Sequence, residues 1–141
     1  MTDWIKILPT PLSVAEADQF VIDPAAGGIC VFAGTTRAET SADGRELVAL
    51  DYEAYPEMAT RQLQELAART RDRWPVLKLA ILHRTGRVAV GEASVVIAVS
   101  TGHRKEAFEA CRFIIDELKR DVAIWKKEVW QSGDTSWVNS L

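Results

Sequence analysis

SVVIAVSTGHRKEAFEACRFIIDELKRDVAIWKKEVW, residues 94–130, places a strand, a helix and a second strand in immediate succession. SVVIAVS (94–100) is an unbroken apolar run of strand length, as expected of a strand buried on both faces. From about Arg104 to Arg120 the spacing turns helical, with Ala107, Cys111, Ile114 and Leu118 on one core stripe. VAIWKKEVW (122–130) then returns to strand character. Upstream, VLKLAILH (76–83) reads as another strand, and HRTGRVAVGE (83–92) as a turn with a short strand. Pro56, at a first helical position, opens a helix to about Arg73 whose stripe is Ala59, Leu63, Leu66 and Ala67. LVALDYEA (47–54), GICVFAG (28–34) and WIKIL (4–8) are further strands, and Ser13 with Glu16 forms a capping box for a short helix, SVAEADQFVI. Residues 35–46 are a polar loop, and the chain after Trp130 is a polar tail containing Trp137. Strands and helices do not alternate strictly. That order favours an α+β domain with three helices on a mixed or largely antiparallel sheet, one domain over residues 1–141.

The bulk composition narrows the function classes. With 48% apolar and 26% charged residues the chain can build an ordinary core. A net charge of −3 gives no global basic field for nucleic acid or membranes. Residues 103–127 nevertheless carry +2 while the remainder carries −5, so positive charge is concentrated locally. Cys30 and Cys111 sit within apolar patterns and are expected to be free structural thiols, which suits a reducing compartment. No signal-peptide pattern and no apolar run of about 20 residues is visible, so a cytoplasmic location is expected.

Four features can carry chemistry. The strand ending at Ser100 meets the helix through Thr101-Gly102-His103-Arg104. A helix N-terminus with free N–H groups, an approachable glycine and two cationic donors suits an anion, although a plain helix start would look the same. Lys119 lies about 110° from the centre of the helix stripe, at the border of the buried face. There it is either a snorkelling lysine or a partly desolvated amine that can serve as base or nucleophile. Lys126 and Lys127, adjacent in a strand, must point to opposite faces, so at most one enters a given pocket. Arg37 follows the strand that ends at Gly34. His83, Arg84 and Gly86 read as turn chemistry, and Glu92 shows no evident partner. The two His and two Cys lack ligand spacing, and no P-loop, GxGxxG or GxSxG occurs, so neither metal nor cofactor is expected.

Taken together, GGICVFAGTTR (27–37), LDYEAYPEMA (50–59), the 83–119 run beginning HRTGRVAVGE, and IWKKE (124–128) resemble the large, catalytic subunit of molybdopterin synthase. The resemblance covers most of the chain in order. It implies an α/β hammerhead fold and a sulfurtransferase of molybdenum cofactor biosynthesis. Such an enzyme converts cyclic pyranopterin monophosphate into the molybdopterin dithiolene. It also implies a ubiquitin-like small subunit whose C-terminal Gly-Gly thiocarboxylate brings the sulfur. The implied assembly is a homodimer of this chain with a small subunit at each end, a heterotetramer. Carried over by motif, Lys119 and Lys126 are the catalytic lysines, and Arg37, His103 and Arg104 hold the phosphate-bearing pterin. The chain ends SWVNSL, without Gly-Gly, so it is not expected to be the sulfur carrier itself. Two departures from the family pattern are Ala123, where a proline is usual, and the lack of a basic residue after Trp137. Rival readings are a non-catalytic module that docks a peptide tail, and a pterin- or nucleotide-phosphate enzyme that works without a protein partner.

Overall fold

A computed structural model describes residues 3–138. The elements run β1 (Asp3–Leu8), α1 (Val14–Val21), β2 (Gly28–Thr35), β3 (Leu47–Ala54), α2 (Pro56–Arg73), β4 (Val76–Arg84), β5 (Gly86–Ala89), β6 (Ala93–Thr101), α3 (Arg104–Asp121), β7 (Ile124–Trp130) and β8 (Thr135–Trp137). The strands form two four-stranded sheets, ordered β1-β4-β6-β2 and β5-β3-β7-β8. Among the described strand pairs only β1–β4 is parallel. The α+β class with three helices is as expected, but the sequence pointed to one sheet and the structure has two. Apolar patterning marks strands without saying which pair. The tail after Trp130 also contains a strand: Gly133, at φ +90°, turns the chain so that Thr135–Trp137 pairs back on β7. All three residues of β8 are exposed, so no alternation announced them. Of the stretch after Trp137, which lacks the basic residue usual in the family, residues 139–141 lie outside the described residues.

Period two along β4 and β6 builds two cores at once. Leu79 and Ile81, with Val95, Ile97 and Val99, face α2 and α3 and pack on Leu63, Leu66, Ile114 and Leu118. The alternate residues Ala80, Leu82, Val96 and Ala98 meet Ala17 and Val21 of α1. The first sheet is therefore covered on both sides, which explains why SVVIAVS shows no alternation. Leu63, Leu66 and Leu118 are at most 1% exposed, and cutting any of them to alanine costs about 2–5 kcal/mol. The second sheet closes a smaller core of Leu47, Leu50, Tyr52, Val88 and Ile124 against Ala59. Ile7 and Val122 pack against both of these cores and so join the two sheets.

Local signals explain the helix ends. Ser13 Oγ accepts the Glu16 N–H at 3.1 Å, and Pro56 begins α2. At the start of α3 the backbone is crowded. A Cβ on Gly28 would lie 2.7 Å from Arg104 Cα, and one on Gly27 would lie 2.2 Å from the Gly102 carbonyl oxygen. Only glycine lets β2 run this close to the His103–Arg104 turn.

Candidate active site

Two residues, Val122 and Ala123, connect α3 to β7, so the C-terminal end of the helix and the following strand stand side by side. Between the two sheets, beside this junction, lies a cavity of about 660 Å³. Ile115, Leu118 and Lys119 come from α3, Lys126 and Glu128 from β7, and Leu47, Leu50 and Tyr52 from β3. His83 of β4, Ser94 and Val95 of β6, and Gly34 with Thr35 of β2 form further wall. Arg37 and Glu39, from the loop after β2, stand with them, as does Val138.

The cavity is cationic on one side. Lys119 is exposed and Lys126 partly buried. Burial lowers the Lys126 pKa below that of an ordinary lysine, and the charge of Lys119, then that of Arg37, acts the same way. Glu128 and Glu39 oppose that shift without cancelling it. Arg37 is paired with Glu39 at 3.0 Å, but its side chain is 84% exposed, so the pair is weak and exchangeable. Lys127 turns the other way. Its ammonium lies 5.2 Å from the Trp137 ring centroid, and it stands opposite Asp51 in the ladder, while Lys126 stands opposite Tyr52.

The opposite wall is uncharged. His83 is 2% exposed and its Nδ1 lies 2.9 Å from the Arg84 carbonyl oxygen. Burial lowers its pKa to about 4, so the ring is neutral at physiological pH. The Tyr52 and His83 rings pack in a T-shaped pair, with centroids 5.1 Å apart. Burial raises the Tyr52 hydroxyl pKa, a side-chain hydrogen bond with Ser94 opposing it, and Ser94 Oγ donates to the Gly34 carbonyl at 3.3 Å.

Of the five residues singled out in the sequence, Arg37, Lys119 and Lys126 surround this cavity. His103 and Arg104 do not line it. They are exposed at the N-terminal end of α3. Sixteen residues of helix, at about 1.5 Å each, separate His103 from Lys119 by roughly 24 Å. Sequence reasoning missed Tyr52, His83, Ser94, Glu39 and Glu128. The sequence places His83 last in the 76–83 strand but reads it with Arg84 and Gly86 as turn chemistry; within β4 it shares a face with Leu79 and Ile81. Following the alternation Leu79, Ile81 to the last residue of VLKLAILH finds it. Glu92 does have partners: its carboxylate accepts the Ala89 N–H at 2.8 Å and pairs with Arg84 at 3.3 Å.

Residues 7–121 match the family described as "MoaE protein". The chain belongs to the MoaE family. It is 44% identical over 135 residues to a molybdopterin synthase catalytic subunit of Bos taurus, covering 96% of this chain and 70% of that one. A protein of the same description from Nostoc sp. is 44% identical over 138 residues, covering 97% of this chain and 82% of its own. The fold matches a crystal structure of molybdopterin synthase from Staphylococcus aureus with TM-score 0.88 and 33% identity, over 94% of this chain and 95% of that one. The resemblance carried by the GGICVFAGTTR, HRTGRVAVGE and IWKKE runs is thereby established as family membership. No helix among the described residues is long and apolar enough to cross a membrane.

Proposed function

We propose that this MoaE-family chain is the catalytic subunit of a molybdopterin synthase and that the cavity between its two sheets is where sulfur changes hands. The observation that carries this reading is the convergence of Arg37, Lys119 and Lys126 on one cavity while Lys127 points away. The donor is the thiocarboxylate at the Gly-Gly end of a small ubiquitin-like subunit, and the acceptor is cyclic pyranopterin monophosphate. Both are anions, and fixed cations offset the repulsion between them and stabilise charge that develops during transfer. Transfer moves sulfur from the tail's acyl carbon to carbon of the pterin side chain, twice. Water takes sulfur's place on each acyl carbon and leaves a carboxylate. On the pterin one sulfur displaces an oxygen that departs as water, and the other displaces the ester oxygen as the cyclic phosphate opens to a monoester. Lysine is suited to the proton transfers of these steps, and the lowered pKa of Lys126 leaves more free amine at a given pH than an exposed lysine has. The test is anaerobic incubation of the chain with thiocarboxylated carrier and the cyclic pterin. Dithiolene product is expected, and its absence with a folded chain would overturn the reading.

His103 and Arg104 belong to the same reaction through a second copy of the chain. A two-fold homodimer sets the same surface of each copy against its mate, so the N-terminal end of one α3 can meet the Lys119 end of the other. The roughly 24 Å between these ends within one chain supports a shared site. A chain carrying both His103→Ala and Arg104→Ala, mixed with a Lys119→Ala chain, should regain part of the activity. Each mixed dimer would then hold one intact site. No recovery after proven subunit exchange would refute the shared arrangement.

A further inference from the structure

His83 is out of place for a core position. β4 sends Leu79, Ile81 and His83 to one face, and the first two are core residues packed towards α2 and α3. At the third step the strand reaches the cavity, and an imidazole replaces the hydrocarbon. A carbonyl oxygen can only accept, so the 2.9 Å contact between Nδ1 and the Arg84 oxygen places the ring hydrogen on Nδ1. In a neutral ring the other nitrogen, Nε2, then carries a bare lone pair. Burial, which lowers the pKa to about 4, keeps the ring in that state. Nε2 makes no hydrogen bond to any described residue. The neighbouring Tyr52 does not supply one, because its hydroxyl bonds to Ser94 and its contact with the imidazole is ring to ring, with centroids 5.1 Å apart.

An acceptor this deeply placed, lining a cavity and unpartnered, is poised for a donor on whatever enters. We propose that His83 Nε2 accepts a hydrogen bond from an uncharged N–H group of a bound reactant and so orients it against the cationic side. This inference rests on the function proposed above. The lone pair repels the oxygens and sulfur of an anion, so the charged end turns to Arg37, Lys119 and Lys126, and the N–H-bearing part turns to His83. Two reactants carry such a group: the glycine amides of the carrier tail and the heterocyclic ring of the pterin. Neither a general acid nor a cationic anchor is implied, since a neutral imidazole with its hydrogen engaged serves as neither.

Two variants separate this role from a purely structural one. His83→Asn keeps a donor near the Nδ1 position for the Arg84 carbonyl but ends short of Nε2. His83→Gln loses that bond but presents an amide oxygen near the Nε2 position. With carrier and pterin varied in turn, His83→Asn should raise KM for one of them roughly tenfold, the worth of one ordinary hydrogen bond. The thermal midpoint of that variant should stay near wild type. His83→Gln should restore KM while melting earlier. A raised KM for carrier identifies the tail amide as the donor, and a raised KM for pterin identifies the ring. A variant-free check is available because the chain has only two histidines. The ¹⁵N resonance of His83 Nε2 in the wild-type chain should move to lower frequency when carrier with a carboxylate tail, or pterin, is added. Wild-type turnover with an unmoved Nε2 resonance, or with unchanged KM for both reactants in His83→Asn, overturns the His83 assignment alone. So does a His83→Gln variant as impaired in KM as His83→Asn. Failure of the wild-type chain to turn over sinks the functional reading itself, and this inference with it.

Discussion

Lys126 and Lys127 are neighbours of identical chemistry on opposite faces of β7, and exchanging each for methionine should produce opposite signatures. Methionine keeps most of the stem and removes the charge. At position 126 the charge is disfavoured by burial and by Lys119, so its removal should leave the melting temperature unchanged or raise it. Turnover, in contrast, loses a fixed cation within the cavity, and losses of one such group run to about 10²–10³-fold. At position 127 the losses are a contact with the Trp137 ring at 5.2 Å and an attraction to Asp51. The ring contact is partly exposed and is worth about 0.5–1 kcal/mol. For a chain of this size that lowers the melting temperature by about 2–4 °C. Turnover of Lys127→Met should stay within about twofold of wild type, since an effect of 0.4 kcal/mol or less is about a factor of two. The assays are thermal unfolding and dithiolene formation from thiocarboxylated carrier. An active Lys126→Met beside a dead Lys127→Met would refute the strand-face reasoning outright.

Acid should expose His83. Its folded pKa of about 4 lies below the ordinary 6.5, so the unfolded chain binds the proton first as pH falls. The stability involved is full above pH 6.5 and is lost towards pH 4, about 3 kcal/mol in all; urea titrations of His83→Leu should lack that loss, and an equal pH slope would contradict it. Cys111 is buried, and burial with the adjacent Cys30 raises its thiol pKa, so Cys111 is not poised as a nucleophile. A double Cys30→Ala, Cys111→Ala chain should keep turnover with thiocarboxylated carrier, and loss of activity in a folded variant would point to a persulfide relay. Gly28→Ala forces a Cβ to within 2.7 Å of Arg104 Cα, and overpacking of this kind costs about 1–3 kcal/mol. It should also weaken activity by displacing the His103–Arg104 turn, measured as a drop in turnover in the folded fraction.

Much of this could be read from the chain because the decisive signals are local. Pro56 and the 3.6-residue stripe gave α2 its observed bounds, and the stripe through Ala107, Cys111, Ile114 and Leu118 gave α3 nearly all of its length. Lys119 and Lys126 meet at one cavity because only two residues join their elements, which is again a local fact. What escaped was non-local. Whether LVALDYEA joins the sheet of SVVIAVS or a second sheet depends on pairing across the chain, which hydrophobic patterning does not encode. The same holds for the far wall of the cavity, where Tyr52, His83 and Ser94 come from three strands of two sheets. His83 shows how a motif can mislead. Its place beside Arg84, Thr85 and Gly86 drew attention to the turn and away from the buried face it shares with Ile81.

The most direct test of the central claim is a single turnover with carrier whose thiocarboxylate is isotopically labelled at sulfur. The wild-type chain and Lys127→Met should pass the label into the pterin and release carrier ending in an ordinary carboxylate. Lys119→Ala and Lys126→Met should leave nearly all label on the carrier over the same interval. Label reaching the pterin at the wild-type rate in both of these variants would contradict a cavity whose lysines carry out the transfer.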